Sequence, residues 1–212
     1  MNEWSFIFLC ERKRQVGKKR GPKYDLIIEA AVRVIAEHGY HQAQVSKIAK
    51  EAGVADGTIY LYFKNKEDIL ISLFEEKMGR FVEKTKEQIE KENDPGEKLF
   101  RLIQMHFKQL AANYALAVVT QLELRQSNAE LRLKINEVLK GYLQLIDVVL
   151  VDGKESGYFN ANLDNRLVRQ MIFGTLDEVV TNWVMKDGKY DLVSLAKPVQ
   201  QMLVNGLTSI NR

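Results

Sequence analysis

Apolar positions recur along this chain at intervals of three and four residues, and no stretch alternates long enough to specify a strand. In "KYDLIIEAAVRVIAEHG", Ile27, Ala30, Ala31, Val34 and Ile35 share one helical face, and Gly39 ends the pattern. "VSKIAKEAG" and "DGTIYLYF" read as two short helices separated by a tight turn. Asn65-Lys66-Glu67-Asp68 is a capping box that opens a long helix to about Lys91. At 1.5 Å per residue that rod is roughly 39 Å long, enough to link two domains. Asp94-Pro95-Gly96-Glu97 is a second helix start, with a cap, a proline at the first position and a carboxylate at the third. Ser127-Asn128-Ala129-Glu130 is a third. The segment "YALAVVTQLEL" between them is apolar nearly all round, which predicts burial. "DGKESGYFNANLD", Asp152 to Asp164, is the clearest loop. Two apolar helices follow, over about Asn165–Lys186 and Leu192–Leu207, and Pro198 should kink the second or mark a late start. The expected class is all-α.

Composition adds bounds. With 212 residues, 46% of them hydrophobic and only three prolines, the chain can bury a real core in one large or two small domains. No run approaches the roughly 18 apolar residues that span a bilayer. The apolar run Trp4–Cys10 is short and precedes the basic cluster; a secretory leader has the opposite order, so none is expected. Cys10 is the single cysteine and can form no internal disulfide, which fits a reducing cytoplasm. The net charge of +3 hides an asymmetry. Residues 1–24 carry seven Lys/Arg against Glu3 and Glu11, a net of +5 that leaves −2 for the remainder. Residues 1–22 thus form a basic arm, expected to be flexible. Such an arm is either a solvated tail or a contact to phosphates or a minor groove.

The pair of short helices carries the chemistry. Ala49 sits where two helices must cross closely, and Gly53, four residues on, suits a left-handed helix end. Ile48, Ala52, Val54 and Ile59 supply a small core between them. Alanine, glycine at +4 and a β-branched residue at +10 is the helix-turn-helix pattern, although plain structural hairpins share it. The exposed positions favour DNA. Gly57 lets the second helix approach a phosphate or base edge without a Cβ in the way. Thr58, Tyr60 and Tyr62 can donate hydroxyl hydrogen bonds to phosphates, and Lys64 and Lys66 add cations. Packing against the long helix is the alternative role for the aromatics, and it is the one expected of Phe63.

Ile48, Ala49, Ala52, Gly53, Val54, Gly57, Thr58, Tyr60, Phe63, Lys66 and Leu70 together resemble the signature of the tetracycline-repressor (TetR) family. The resemblance implies an N-terminal three-helix DNA-binding domain at residues 23–70 and a C-terminal ligand-binding and dimerisation domain at 71–212. Two positions depart from the pattern. Ala43-Gln44 replaces the usual Ser or Thr before Val45, and Ala55 stands where Ser is frequent. Gln44 and Asp56 are expected to take over those capping or phosphate-contact roles, and Ser46 completes the candidate DNA-contacting set. "TQLELRQSN" and "RQMIFGTLDEVVTNWVM" extend the likeness to the fatty-acid-degradation repressors of bacilli, over nearly all of Lys23–Leu207. That closer resemblance implies a homodimer joined by the last two helices. The dimer would place two recognition helices roughly 34–36 Å apart on a near-palindromic operator. Long-chain acyl-CoA would release it.

An acyl chain needs an apolar tunnel, and CoA phosphates need Arg or Lys at its mouth. Met105, Leu122, Leu143, Met171, Phe173 and Trp183 are the candidate tunnel residues, each of which also reads as ordinary core. His106, on the same apolar helix, reads as a hydrogen-bonded pocket or core residue. Arg125 heads the candidate phosphate partners, with Arg101, Lys108, Arg132, Arg166 and Arg169 behind it. No cofactor or metal is expected. An enzyme is disfavoured: there is no glycine-rich phosphate loop, no Cys/His metal spacing and no triad. Ser194-Leu-Ala-Lys197 matches a nucleophile motif without its companions. A TetR-like regulator answering a free fatty acid or drug-like molecule is the other reading.

Overall fold

The computed structural model describes residues 20–123 and 128–208, and among them every regular element is helical. The helices are α1 (Pro22–Gln42), α2 (Val45–Glu51), α3 (Asp56–Ile59), α4 (Lys66–Ile89), α5 (Pro95–Ala111), α6 (Tyr114–Glu123), α7 (Ala129–Glu155), α8 (Asn165–Met185) and α9 (Ala196–Leu207). A 3₁₀ turn, Val193–Leu195, leads into α9, so Pro198 marks a late start and not a kink.

The caps follow the side chains that the sequence offers. Asn65 Oδ1 accepts the Asp68 amide at 2.8 Å, and Asp68 Oδ2 accepts the amide of Lys64 at 2.9 Å. The reciprocal bond of the capping box therefore lands one residue earlier than expected. Asp94 caps α5 through the Glu97 amide, and Asn128 caps α7 through the Leu131 amide, both at the third helical position. Ser127 lies outside the described residues. The loop after α7 is shorter than the composition implies, because the helix runs on through Asp152 to Glu155.

Gly39 does interrupt α1. At φ 72° it kinks the chain, and one more turn continues to Gln42. Only a residue without a Cβ takes that conformation cheaply. Ala49 is fully buried at the α2 crossing, and Gly53 ends α2 at φ 67°, as the pattern requires. The second short helix differs from expectation. It is regular only from Asp56 to Ile59, and Tyr60 to Phe63 continue as hydrogen-bonded turns closing on Thr58 and Ile59.

α4 is the spine. Its N-terminal half buries Ile69, Leu70, Leu73 and Phe74 beneath α1, and its C-terminal half packs on α5 and α7. α6 bridges the two halves of the molecule: it lies against α1 on one side and α8 on the other. Its buried face, Leu116, Ala117, Val119, Thr120 and Gln121, accounts for the apolar "YALAVVTQLEL" run. α8 and α9 close the far end against α7 and α5.

Candidate functional site

Two regions gather the candidate residues. The first is an open cleft of about 460 Å³ where the end of α1 meets α2 and α3. His41, Gln44, Ser46, Asp56, Tyr60 and Lys66 line it, so five of the nine candidate DNA-contacting side chains share one concave surface. Gln44 and Ala55 precede α2 and α3 without a side-chain cap, which leaves first-turn amides at both helix starts free of that partner. Gln44 therefore does not replace the missing Ser/Thr cap. Tyr60 is 59% exposed and projects from the turn after α3. A Cβ added at Gly57 would meet nothing within 4 Å, so no internal contact requires a glycine there. Thr58 is half-buried and Lys64 exposed. Tyr62 is half-buried, its ring 6.4 Å from those of Tyr24 and Phe63, so it belongs partly to the packing. Phe63 is buried and stacks on Tyr24 at 5.1 Å.

Lys66 has a structural engagement that its position in the sequence hides. Its Nζ donates to the carbonyls of Tyr40 at 3.0 Å and His41 at 3.1 Å, and lies 4.6 Å from the Tyr40 ring centre. On the other side of the same turn, the Tyr40 amide donates to Glu123 Oε1 at 2.8 Å. The kinked end of α1 is thus held at its carbonyls from α4 and at its amide from α6. Burial, then the charges of Glu67 and Glu123, push the Tyr40 phenol up to about 12, so it stays neutral. Glu123 was not among the candidates. Nothing in its spacing marks it, because the contact spans 83 positions.

The second region lies among α4, α5, α7 and α8. His106 and Tyr142 are buried side by side, with Nδ1 2.7 Å from the Tyr142 hydroxyl oxygen. Phe81 meets both edge-on at 5.5 Å, Phe107 lies 5.9 Å from His106, and Phe173 lies 6.2 Å from Tyr142. Burial alone holds the imidazole down to about 3 and raises the Tyr142 phenol well above its ordinary value, so both are neutral. Met105 and Leu143 are half-buried neighbours along α5 and α7.

The remaining tunnel candidates are elsewhere. Met171 faces an apolar groove of about 180 Å³ between α8 and α9, with Leu167, Leu203 and Met202. Trp183 is twelve residues further along α8, roughly 18 Å by helical rise. There it packs on Tyr114 and donates from Nε1 to the Tyr190 carbonyl at 2.9 Å. Leu122 is exposed at the end of α6. Among the cations, Arg101 is paired with Glu92 at 2.7 Å and Arg169 with Asp147 at 2.5 Å, while Lys108, Arg132 and Arg166 are exposed. Arg125 lies outside the described residues. The tunnel candidates therefore fall in four places, the His106–Tyr142 pair, the α8–α9 groove, the Tyr114 contact and the end of α6, because residues on one helix face different neighbours.

Residues 27–73 match the family described as bacterial regulatory proteins, tetR family, and residues 74–206 match the YsiA-like protein C-terminal region. The chain belongs to the TetR family. The fatty acid metabolism regulator protein of Bacillus subtilis (strain 168) is 64% identical over 190 residues, covering 90% of this chain and 98% of that protein. Among solved structures, the fatty acid degradation regulator FadR from Bacillus halodurans superposes with a TM-score of 0.84 at 74% identity, over 87% of this chain and 99% of its own. FadR from B. subtilis in complex with stearoyl-CoA superposes at 0.85 with 64% identity, over the same shares. This chain is accordingly a TetR-type transcriptional repressor and not an enzyme. Among the described residues, no helix is long and apolar enough to cross a membrane.

Proposed function

We propose that this chain represses fatty-acid-degradation genes as a cytoplasmic homodimer on a near-palindromic operator, and that long-chain acyl-CoA releases it. The observation that carries the effector is the match, over 99% of its length, to a FadR that holds stearoyl-CoA. The cleft lined by Gln44, Ser46, Asp56, Tyr60 and Lys66 supports DNA as the partner. Residues 23–70 would read the duplex, and residues 71–212 would hold the effector and the second subunit. Exposed Leu167, Met171 and Met202, around the α8–α9 groove, support that face as the dimer seam. A twofold axis through it matches two reading heads to two half-sites.

Release follows from linkage. An effector that binds better when the heads stand at a different separation must weaken DNA binding by the same factor, and one that binds both forms equally changes nothing. The joint at Tyr40, held by Glu123 on α6, offers a path, since α6 also packs on α8.

The test selects a duplex from a random-sequence pool and follows its complex by fluorescence anisotropy at fixed salt. A selected near-palindrome, released by stearoyl-CoA but not by CoA alone, is the expected result. Operator affinity that saturating stearoyl-CoA leaves unchanged would end the proposal. Release by stearate at the same concentration would favour the free-fatty-acid reading.

A further inference from the structure

The His106–Tyr142 pair has one polar atom too many. Within the described residues the Tyr142 hydroxyl has one hydrogen-bond partner, His106 Nδ1, and His106 Nε2 has none. If Nδ1 carried the ring proton, the phenolic proton and the bare Nε2 would both be unsatisfied. With the phenol donating to Nδ1, only one group is orphaned, and that group is Nε2–H. The ring is therefore a donor facing an apolar, aromatic surround, and no acceptor among the described residues reaches it. Leaving such a group unpaired is destabilising, whereas replacing both members of the pair by apolar side chains is nearly neutral. Core stability alone gives no reason to bury a histidine here. An external acceptor does.

Resting on the acyl-CoA reading above, we propose that His106 Nε2–H donates a hydrogen bond to the carbonyl oxygen of the acyl thioester. The elements fit that ligand in three respects. The donor is neutral, so it does not demand a counter-charge, and a thioester carbonyl carries none. Its surround is Phe81, Phe107, Tyr142 and, beyond Tyr142, Phe173, surfaces that take methylenes and not phosphates. Met105 and Leu143, half-buried and unbranched at Cβ, adjoin the pair along α5 and α7, and flexible side chains of that kind can turn aside for a chain. The histidine thus sets the register of the lipid, because one carbonyl per acyl chain can satisfy it. Tyr142 is a positioning residue: it fixes the tautomer that puts the proton on Nε2.

The decisive comparison is stearoyl-CoA against its thioether, S-octadecyl-CoA, which keeps the chain and the CoA but lacks the carbonyl. Calorimetry on the full chain should show the thioester binding about tenfold more tightly. The double variant His106→Phe/Tyr142→Phe removes the pair together, so no partner is stranded, and should bind both compounds with the affinity wild type shows for the thioether. Equal affinities in wild type would overturn the hydrogen bond while leaving the acyl-CoA reading intact. A thioester preference that survives in the double variant would overturn it too. Wild type binding neither compound would remove the effector reading and this one with it. A check independent of any variant uses the three histidines of the chain. In ¹H–¹⁵N spectra the Nε2–H signal of His106 should move downfield with the thioester and not with the thioether, and an unmoved signal would count against the assignment.

Discussion

Tyr60 and Lys66 sit in the same cleft but do different work, and substitution separates them. Among the described residues nothing hydrogen-bonds the Tyr60 hydroxyl, and the side chain is mostly solvent-facing, so Tyr60→Ala should leave the urea midpoint within experimental scatter while weakening operator binding several-fold, to about tenfold. Lys66→Met removes the donor to two carbonyls and should cost roughly 1–3 kcal/mol of stability besides any loss of DNA affinity. Equal stability in the two variants would contradict the role assigned to the Lys66 ammonium. His106 makes a prediction in pH. In the native state it stays neutral down to about 3, whereas in the unfolded chain it takes up a proton below about 6.5. Its contribution is complete above 6.5 and is lost as the pH falls toward 3, at about 1.4 kcal/mol per unit. Urea denaturation at pH 7 and pH 5 should therefore show a larger acid loss for wild type than for His106→Phe/Tyr142→Phe.

The elements matter most where α1, α4 and α6 meet. Gly39 turns the chain out of α1, and the freed amide and carbonyls of the next turn are taken up by Glu123 and Lys66. Glu123→Ala strands the Tyr40 amide and loosens the end of α6 from the reading head. It should lower both thermal stability and operator affinity, and reduce the change in operator affinity produced by stearoyl-CoA. A variant with unaltered release would take Glu123 out of the path. Gly39→Ala forces a Cβ into positive φ and should destabilise by about 1–2 kcal/mol, read from denaturant titration. The helix starts at Asn65 and Asp94 were legible in the sequence because a cap acts over three residues. The joint at Tyr40 was not, because its partners are 83 and 26 positions away.

At the scale of the molecule, exposed Leu167, Met171 and Met202 rim an apolar groove that a matching pair of helices would cover. Met202→Glu with Leu167→Glu should give a monomer in sedimentation equilibrium. That monomer should keep its helical circular dichroism but lose most of its operator affinity, since half-site binding forgoes the second reading head. A folded dimer from this variant would place the seam elsewhere.

By itself, the sequence determined what rests on neighbours along the chain: the all-helical class, the caps, the helix-turn-helix with its alanine crossing and left-handed glycine, and the resemblance that these residues carry. Tertiary structure alone decided which side chains share a site. Lys66 turned inward to two carbonyls, Trp183 and Met171 parted from His106, and Glu123 reached across to the reading head. Helical periodicity places a residue on a face, but a face has a meaning only once another helix lies against it. The orphaned nitrogen of His106 is of the same kind, since an unmade hydrogen bond can be recognised only when everything within reach is known.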